Sequence, residues 1–486
     1  MKKVSIALLA IFGVLSAVIL GRTVAFKSRQ ILPPPVDRID LDHGAAAGRL
    51  AQAIQYKTIS LPMPAEASTQ EFQRFHAFLR KSFPRVHTRL IKEPVNEHSL
   101  LFTWKGDDER LKPILLMAHT DVVPIDTATE KSWTYPPFSG HIADGHIWGR
   151  GTIDDKASVL AILEAVEYLL TEGVQPRRTV YLAFGHDEEL GGRNGAAKIA
   201  ELLRARGVEL EFVLDEGMNI LSGIIDGIRS PVALIGIAEK GYLSLELNVD
   251  SPGGHSSMPP SRTAIGIMSS AIDKLERVKF PGRLDGATKR MLEFLGPEMP
   301  WHKRVAMANL WLFGPMVRRE MERTPPTDAT IRTTIAPTVF QAGIAENVLP
   351  SKARAIVNLR VLPGESIASV LDHVGKAIDD PRVKISPLPI HVEASPISDV
   401  NAASFQLLQR TVRQIAPESV VAPALLIAAT DSWHYAGLTK NSFRFLPITL
   451  KPEDVKRYHG VDERISLDDY ARCVRFYTQL IRNSQR

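Results

Sequence analysis

The sequence predicts an α/β protein: a mostly parallel sheet sandwiched by helices, interrupted by an inserted ferredoxin-like α+β lid domain. Three observations carry this. Apolar runs at Pro113–Ala118, Thr179–Gly185 and Glu211–Leu214 each lead into acids or histidine, as strands buried on both faces do when they end at a site. Between them the apolar residues recur at helical spacing, at Val159, Leu160, Ile162, Leu163, Val166, Leu169 and Leu170 and again over Gly195–Arg206. From Gly241 the order becomes strand, helix, two strands, helix, strand, which is the split βαβ pattern.

A chain of 486 residues is too long for one core and divides here into residues 1–26, an apolar start; 27–45, a linker; 46–240 and 396–486, two parts of one α/β domain; and 241–395, the insertion. The formal charge of +5 comes without a concentrated basic block, so nucleic acid is not an expected partner. Cys473 is the only cysteine, which excludes internal disulfides and thiolate-rich metal clusters. A metal, if bound, must use nitrogen and oxygen ligands.

In chain order, Lys2-Lys3 precede an apolar run from Val4 to Leu20 with no clear small-x-small cleavage site after it. We read a retained membrane anchor with the body outside the cytoplasm, periplasmic or extracellular; the alternative is a cleaved signal sequence and a secreted protein. Pro33-Pro34-Pro35 mark a stiff tether. Helices are expected at Ala46–Tyr56 and Thr69–Phe83 and strands at Thr88–Ile91 and Ser99–Trp104, before the strand at 113. In the insertion, Tyr242–Val249 alternates as a half-exposed strand and Ser251–Ser257 is a tight turn. Ile265, Met268, Ile272 and Leu275 mark a helix, followed by strands at Thr333–Ala342 and Ala353–Leu362, a helix at Ser366–Ile378 and a strand at Val383–Pro387. Residues 280–332 carry Trp301, Trp311, Phe313 and several methionines, read as extra helical core, with a membrane-facing or acyl-accepting surface as the alternative. Helices at Ala403–Ile415 and Ser466–Asn483 flank a strand at Ala424–Ala428.

Seven motifs in this order carry a resemblance: His119-x-Asp121, Gly149-Arg150-Gly151-x-x-Asp154-x-Lys156, Asp187-Glu188-Glu189-x-Gly191-Gly192, Asp215-Glu216-Gly217, Gly253-Gly254-His255-Ser256-Ser257, Asn347-Val348-Leu349-Pro350 and His459-Gly460-x-Asp462-Glu463-Arg464. From about residue 45 to the end the chain resembles the two-zinc amidohydrolases and exopeptidases, such as aminoacylase, succinyl-diaminopimelate desuccinylase and glutamate carboxypeptidase. It looks closest to the branch of carboxypeptidase S and the fatty-acyl amino acid hydrolases, through Trp133-x-x-x-Pro137-Phe138 and the His459–Arg464 motif. The resemblance implies a zinc-exopeptidase-like fold and two divalent ions, zinc by preference. It makes Asp154 the bridging ligand, with His119 and Asp215 on one ion and Glu189 and His459 on the other. Glu216 rivals Asp215, because adjacency alone cannot tell which carboxylate turns inward. Two dications balanced by three carboxylates and a hydroxide can sit in a low-dielectric cleft at little cost.

Glu188 and Glu189 are adjacent, and adjacent side chains on extended backbone point apart. Glu189 would then bind metal while Glu188 serves as general base. Asp121 would accept the second ring proton of His119. In the insertion, the resemblance makes His255 an oxyanion donor brought in by lid closure or from a neighbouring subunit, so a homodimer through the lid is allowed. Asn347 and Arg360 are candidate holders of a substrate carboxylate, and the Trp301–Phe313 region could meet an apolar group. The expected activity is zinc-dependent hydrolysis of an amide next to a free carboxylate, on a small peptide or an N-acyl amino acid. The contrasting reading is a metal-free binding protein on the same fold.

Overall fold

The computed structural model describes residues 2–37, 39–61 and 66–485. The first residue of the expected anchor, residue 38 of the expected linker, residues 62–65 of the first α/β part and the last residue of the second lie outside the described residues.

Strands Val180–Gly185, Ile114–His119, Phe212–Asp215 and Ser442–Arg444 lie side by side and parallel at the centre of a ten-stranded sheet. Their carboxyl ends are level: His119 stands opposite Gly185, and Leu116 opposite Leu214. Antiparallel strands Ser99–Trp104 and Ile91–Val95 extend one side. Val232–Glu239 extends the other and pairs in parallel with Val420–Leu426. The central strands are continuous apolar runs because both faces are covered. Leu100, Phe102, Ile114 and Leu116 share one core with helices Lys156–Thr171 and Leu467–Ser484. Leu101, Leu115, Met117 and Ala183 face a second core with helix Ala196–Ala205. Each of the Leu, Ile, Met and Phe side chains buried in this way contributes roughly 1.5–3 kcal/mol.

One expected strand is corrected. Thr88 lies in a short helix, Pro84–Arg89, and the strand starts only at Ile91. Proline suits the first helical position, and the Glu167 carboxylate accepts from the amides of Arg85 and Val86 at 3.1 and 2.9 Å, supplying the missing cap. A partner from another helix carries no local sequence signal.

Four antiparallel strands, in the order Thr334–Ala342, Lys352–Val361, Gly241–Asp250, Val383–Val392, form a second sheet. Helices Ala264–Arg277 and Ile367–Ile378 share its separate core, around Leu245, Met268, Val357 and Val374. This is the ferredoxin-like order. Helix Gly286–Leu295, from the middle of the same stretch, packs instead on strand Val420–Leu426 of the large sheet. The expected tether does not hang free: Gln30 exchanges hydrogen bonds with the Val421 backbone at 2.8 and 2.9 Å, and Gln409 donates to the Arg29 carbonyl at 2.9 Å.

Candidate metal centre and active site

Side-by-side parallel strands deliver their following residues to one edge, where open α/β sheets bind ligands. There the structure brings together His119, Glu188, Glu189 and Glu216. Asp154 arrives on the glycine-rich turn after Trp148, and His459 on the segment before the closing helix. One ligand atom each from His119, Asp154 and Glu216 lies within 4.8 Å of the others, and the same holds for Asp154, Glu189 and His459 and for His119, Glu188 and Glu189. His119 Nε2 is 2.8 Å from one Asp154 oxygen, and His459 Nε2 is 3.0 Å from the other and 3.2 Å from Glu189. Asp154 thus stands between the two imidazoles.

Asp215 and Glu216, the rival candidates for one ligand, have different surroundings. Asp215 is the last residue of its strand and Glu216 the first beyond it, so their side chains diverge. One Asp215 oxygen accepts from the Glu216 amide at 2.9 Å and the other, buried, has no hydrogen-bond partner among the described residues; Glu239 and Arg444 are its charged neighbours, whereas Glu216 has Asp154, Asp155 and His119 near it. The carboxylate grouped with His119 and Asp154 is Glu216.

Asp121 is fully buried and touches both sides of the site. His119 Nδ1 lies 3.2 Å from its carboxylate and 3.0 Å from its carbonyl. The same carboxylate accepts from Ser60 Oγ at 2.7 Å and from the amides of Glu188 and Glu189 at 3.2 Å each. Fixing the ring of His119 and the loop carrying the two glutamates is therefore one act.

Crowded like charges dominate the electrostatics. Burial, then the nearby Asp431, Glu216 and Glu189, push the Glu188 carboxyl well above the usual range against the pull of His119. Glu216 is raised in the same way, by burial and then by Asp154 and Asp155. Hydrogen bonds to Asp154 and Glu189 hold the His459 imidazole up at about 10. Nitrogen and oxygen donors converge here with an excess of carboxylates, and the buried Glu189 Oε1 lacks a hydrogen-bond partner among the described residues. Such a donor set fits two divalent cations of the zinc type.

Beside these groups opens a cavity of about 660 Å³ lined by Glu188, Glu189, His459 and, from the four-stranded sheet, Tyr242, Ser244 and Arg360. The Arg360 guanidinium stacks over Tyr242 at 4.7 Å, is partly desolvated and has no salt-bridge partner among the described residues. Its apolar wall comes from Leu388, Pro389, Ile390, Val392 and Trp433 rather than from Trp301–Phe313, which correspond to no part of the lining. His255 and Asn347 are not among the described lining residues either. They sit together on an exposed hairpin in which Gly254–His255 pairs with Val348–Leu349 and Asn347 accepts from the Ser256 amide at 3.1 Å.

Asp431 escapes a reading of the sequence, and Lys156 and Glu463, though part of its motifs, gain their roles only here. Asp431 is 3% exposed, lines the cavity and has neither oxygen hydrogen-bonded among the described residues. Its only sequence signal is an acid shortly after an apolar strand. Buried Lys156 donates from Nζ to the carbonyls of Ala53 and Tyr56 at 3.1 and 2.5 Å, tying the end of helix His43–Ile54 to the turn that carries Asp154. Buried Glu463 accepts from Arg150 Nη1 and from the amides of Gly151 and Ile153 on that same turn. Gly149 and Gly151 adopt φ of 142° and 91° there, conformations that L side chains resist.

The profile of Peptidase family M20/M25/M40 matches residues 115–483. Probable carboxypeptidase S-like 2 of Dictyostelium discoideum is 45% identical over 98% of this chain and 93% of its own. N-fatty-acyl-amino acid synthase/hydrolase PM20D1 of Xenopus tropicalis is 44% identical over 90% of this chain and 85% of its own. In fold the chain is similar to human carnosine dipeptidase 1, with a TM-score of 0.66 and 14% identity over 96% of this chain and 99% of the other.

Proposed function

Because the chain belongs to peptidase family M20/M25/M40, we propose that it hydrolyses an amide bond adjacent to a free carboxylate, in an N-acyl amino acid or a small peptide, with two divalent ions, zinc by preference. The observation that carries the reading is the position of Glu188, which belongs to the His119 and Glu189 group and also lines the cavity that contains Arg360. A base beside the ligand groups and a cation across the cavity are what an amide with a nearby carboxylate requires.

His119, Asp154 and Glu216 would hold one ion and Asp154, Glu189 and His459 the other. When bound, the ions supply Lewis-acid polarisation of the scissile carbonyl and of the attacking water. Glu188 takes a proton from that water as its oxygen bonds to the carbonyl carbon. It returns the proton to the nitrogen as the C–N bond breaks, releasing a carboxylic acid and an amine. Asp121 keeps His119 oriented and fixes the loop bearing Glu188. Arg360 binds the substrate carboxylate, and the Leu388–Val392 and Trp433 wall accepts the apolar acyl or side-chain group.

His255 and Asn347 enter this reading only through closure of the four-stranded unit or supply from a second subunit in a homodimer. The N-terminal helix is read as an anchor holding the body outside the cytoplasm. The test is a screen of zinc-loaded protein against N-acyl amino acids and dipeptides, with and without chelator. Chelator-sensitive hydrolysis is expected. A protein that takes up no ions and cleaves neither class would be the metal-free binding protein instead.

A further inference from the structure

The N-terminal helix Lys2–Ala25 is fastened to the body along its second half. Residues 3–14 are exposed all round, whereas Leu15, Ser16, Ile19 and Thr23 form its less exposed stripe. Thr23 and Asn309 are both fully buried. Asn309 Nδ2 donates to the Thr23 hydroxyl at 3.2 Å and to the Ile19 carbonyl at 3.3 Å, and Arg22 Nε donates to the Ala308 carbonyl at 3.4 Å. Just beyond the helix, Arg304 donates to the Phe26 carbonyl at 2.6 Å, and the Phe26 ring fills the space beside Gly296.

Length turns this contact into a statement about depth. A hydrocarbon core ~30 Å thick takes about 20 helical residues at 1.5 Å each. With Lys2-Lys3 at the far surface, the near boundary falls around Arg22 and Thr23. The stretch from Leu15 to Thr23 then lies in the outer ~12 Å of the hydrocarbon. Tilting the helix pushes the boundary further toward the body. Whatever packs on that stretch must enter the bilayer with it, and what packs there is helix Trp301–Ala308, backed by helix Leu310–Met321.

These two helices expose the side chains that such a position needs. Trp301 is 52%, Trp311 56%, Leu312 39% and Met316 56% exposed, and Arg318 and Arg319 follow on the exposed surface. Tryptophans favour the headgroup boundary, and arginines favour anionic headgroups. We propose that helices Trp301–Ala308 and Leu310–Met321 form a second, monotopic membrane-docking surface that enters the leaflet nearest the body. The body is thereby held in one orientation instead of swinging on its linker. The inference rests on the anchor reading above, and the fastening itself favours retention: cleavage after Thr23 or beyond would strip the buried Asn309 amide of the Thr23 hydroxyl.

The test uses the full chain in phosphatidylcholine and phosphatidylserine nanodiscs containing nitroxide-labelled acyl chains. Cys473 is fully buried, so a fluorophore can be directed to Trp311→Cys, to Met316→Cys and, as reference, to Ile344→Cys, whose native residue is 94% exposed on the other sheet's connection. Quenching several-fold greater at 311 and 316 than at 344 is expected. Equal quenching at all three overturns the proposal. So does self-quenching at 311 that rises with copies per disc without nitroxide quenching, since the occupant is then a second copy. The mass of the extracted chain separates the premises. Loss of residues 2–25 with quenching retained removes the anchor and keeps the docking face, and their retention without quenching removes the docking face alone.

Discussion

Glu463 and Arg150, 313 positions apart, form a buried ion pair at 2.6 Å through which the end of the chain grips the turn that delivers Asp154. Arg150 also donates to the His459 carbonyl at 3.0 Å, so one clamp positions residues of both proposed ion sites. Glu463→Ala leaves a buried guanidinium and several amides unpaired and should cost roughly 3–5 kcal/mol in denaturant unfolding. Glu463→Gln, which keeps an acceptor, should cost less. Equal stability of the alanine variant and the parent would show that the clamp is not a constraint on the fold.

Removing the base and removing the bridge should have different signatures. Asp154→Ala should lose activity and both ions, because one carboxylate serves both groups. Glu188→Gln should retain the ions and lose at least about 10²-fold in kcat. Metal content measured beside kcat decides it: an emptied Glu188→Gln site would contradict the division of labour between the two glutamates.

Adjacent acids provide a sharper comparison. Glu216→Ala should lower metal content by about one ion per chain if the His119, Asp154 and Glu216 set holds one ion. Asp215→Asn should retain both ions, since Asp215 turns toward Thr430 and Arg444. The opposite pattern would restore Asp215 as the ligand.

These contrasts follow the boundary of what the sequence makes legible. Strands such as Ile114–His119 are readable because burial on both faces leaves an unbroken apolar run, and their terminal residues then name the site edge. Which of Asp215 and Glu216 turns inward depends on the residue at which the strand ends, and a boundary is the least certain part of such a reading. The helix at Pro84 depends on Glu167. The cavity wall depends on how the end of strand Val383–Val392 meets the 428–433 loop, so the aromatic cluster at 301–313 looks equally eligible until the packing is known. The tight turn at Ser251–Ser257 is legible in the sequence, but the separation of His255 and Asn347 from the cavity is a property of the whole assembly.

Acid should weaken the fold at a cluster of buried histidines. Burial lowers His76 from 6.5 to about 4, and burial also lowers His98 and His186, which meet edge to face at 5.5 Å. The unfolded chain therefore binds more protons between pH 6.5 and 4 than the folded one, and stability falls as pH drops through that window. Denaturant midpoints measured across it should show a shallower decline for His76→Phe. An unchanged slope would place the acid sensitivity elsewhere.

Substrate selection turns on Arg360. It lies in the cavity with Glu188, stacked on Tyr242 and lacking a salt-bridge partner among the described residues, while the opposing wall is apolar. A substrate whose carboxylate meets the guanidinium satisfies a partly desolvated charge; an amide at the same place leaves that charge unpaired. Converting the substrate carboxylate to an amide should therefore cost roughly 2–4 kcal/mol in transition-state binding, read from kcat/KM. In Arg360→Ala the acid loses its partner and the amide loses little, so discrimination between them should largely vanish while the ion content stays unchanged. Equal kcat/KM for acid and amide on the parent enzyme would remove carboxylate recognition altogether. Discrimination that survives in Arg360→Ala would remove only Arg360 and shift attention to Asn347, which closure of the four-stranded unit would have to deliver.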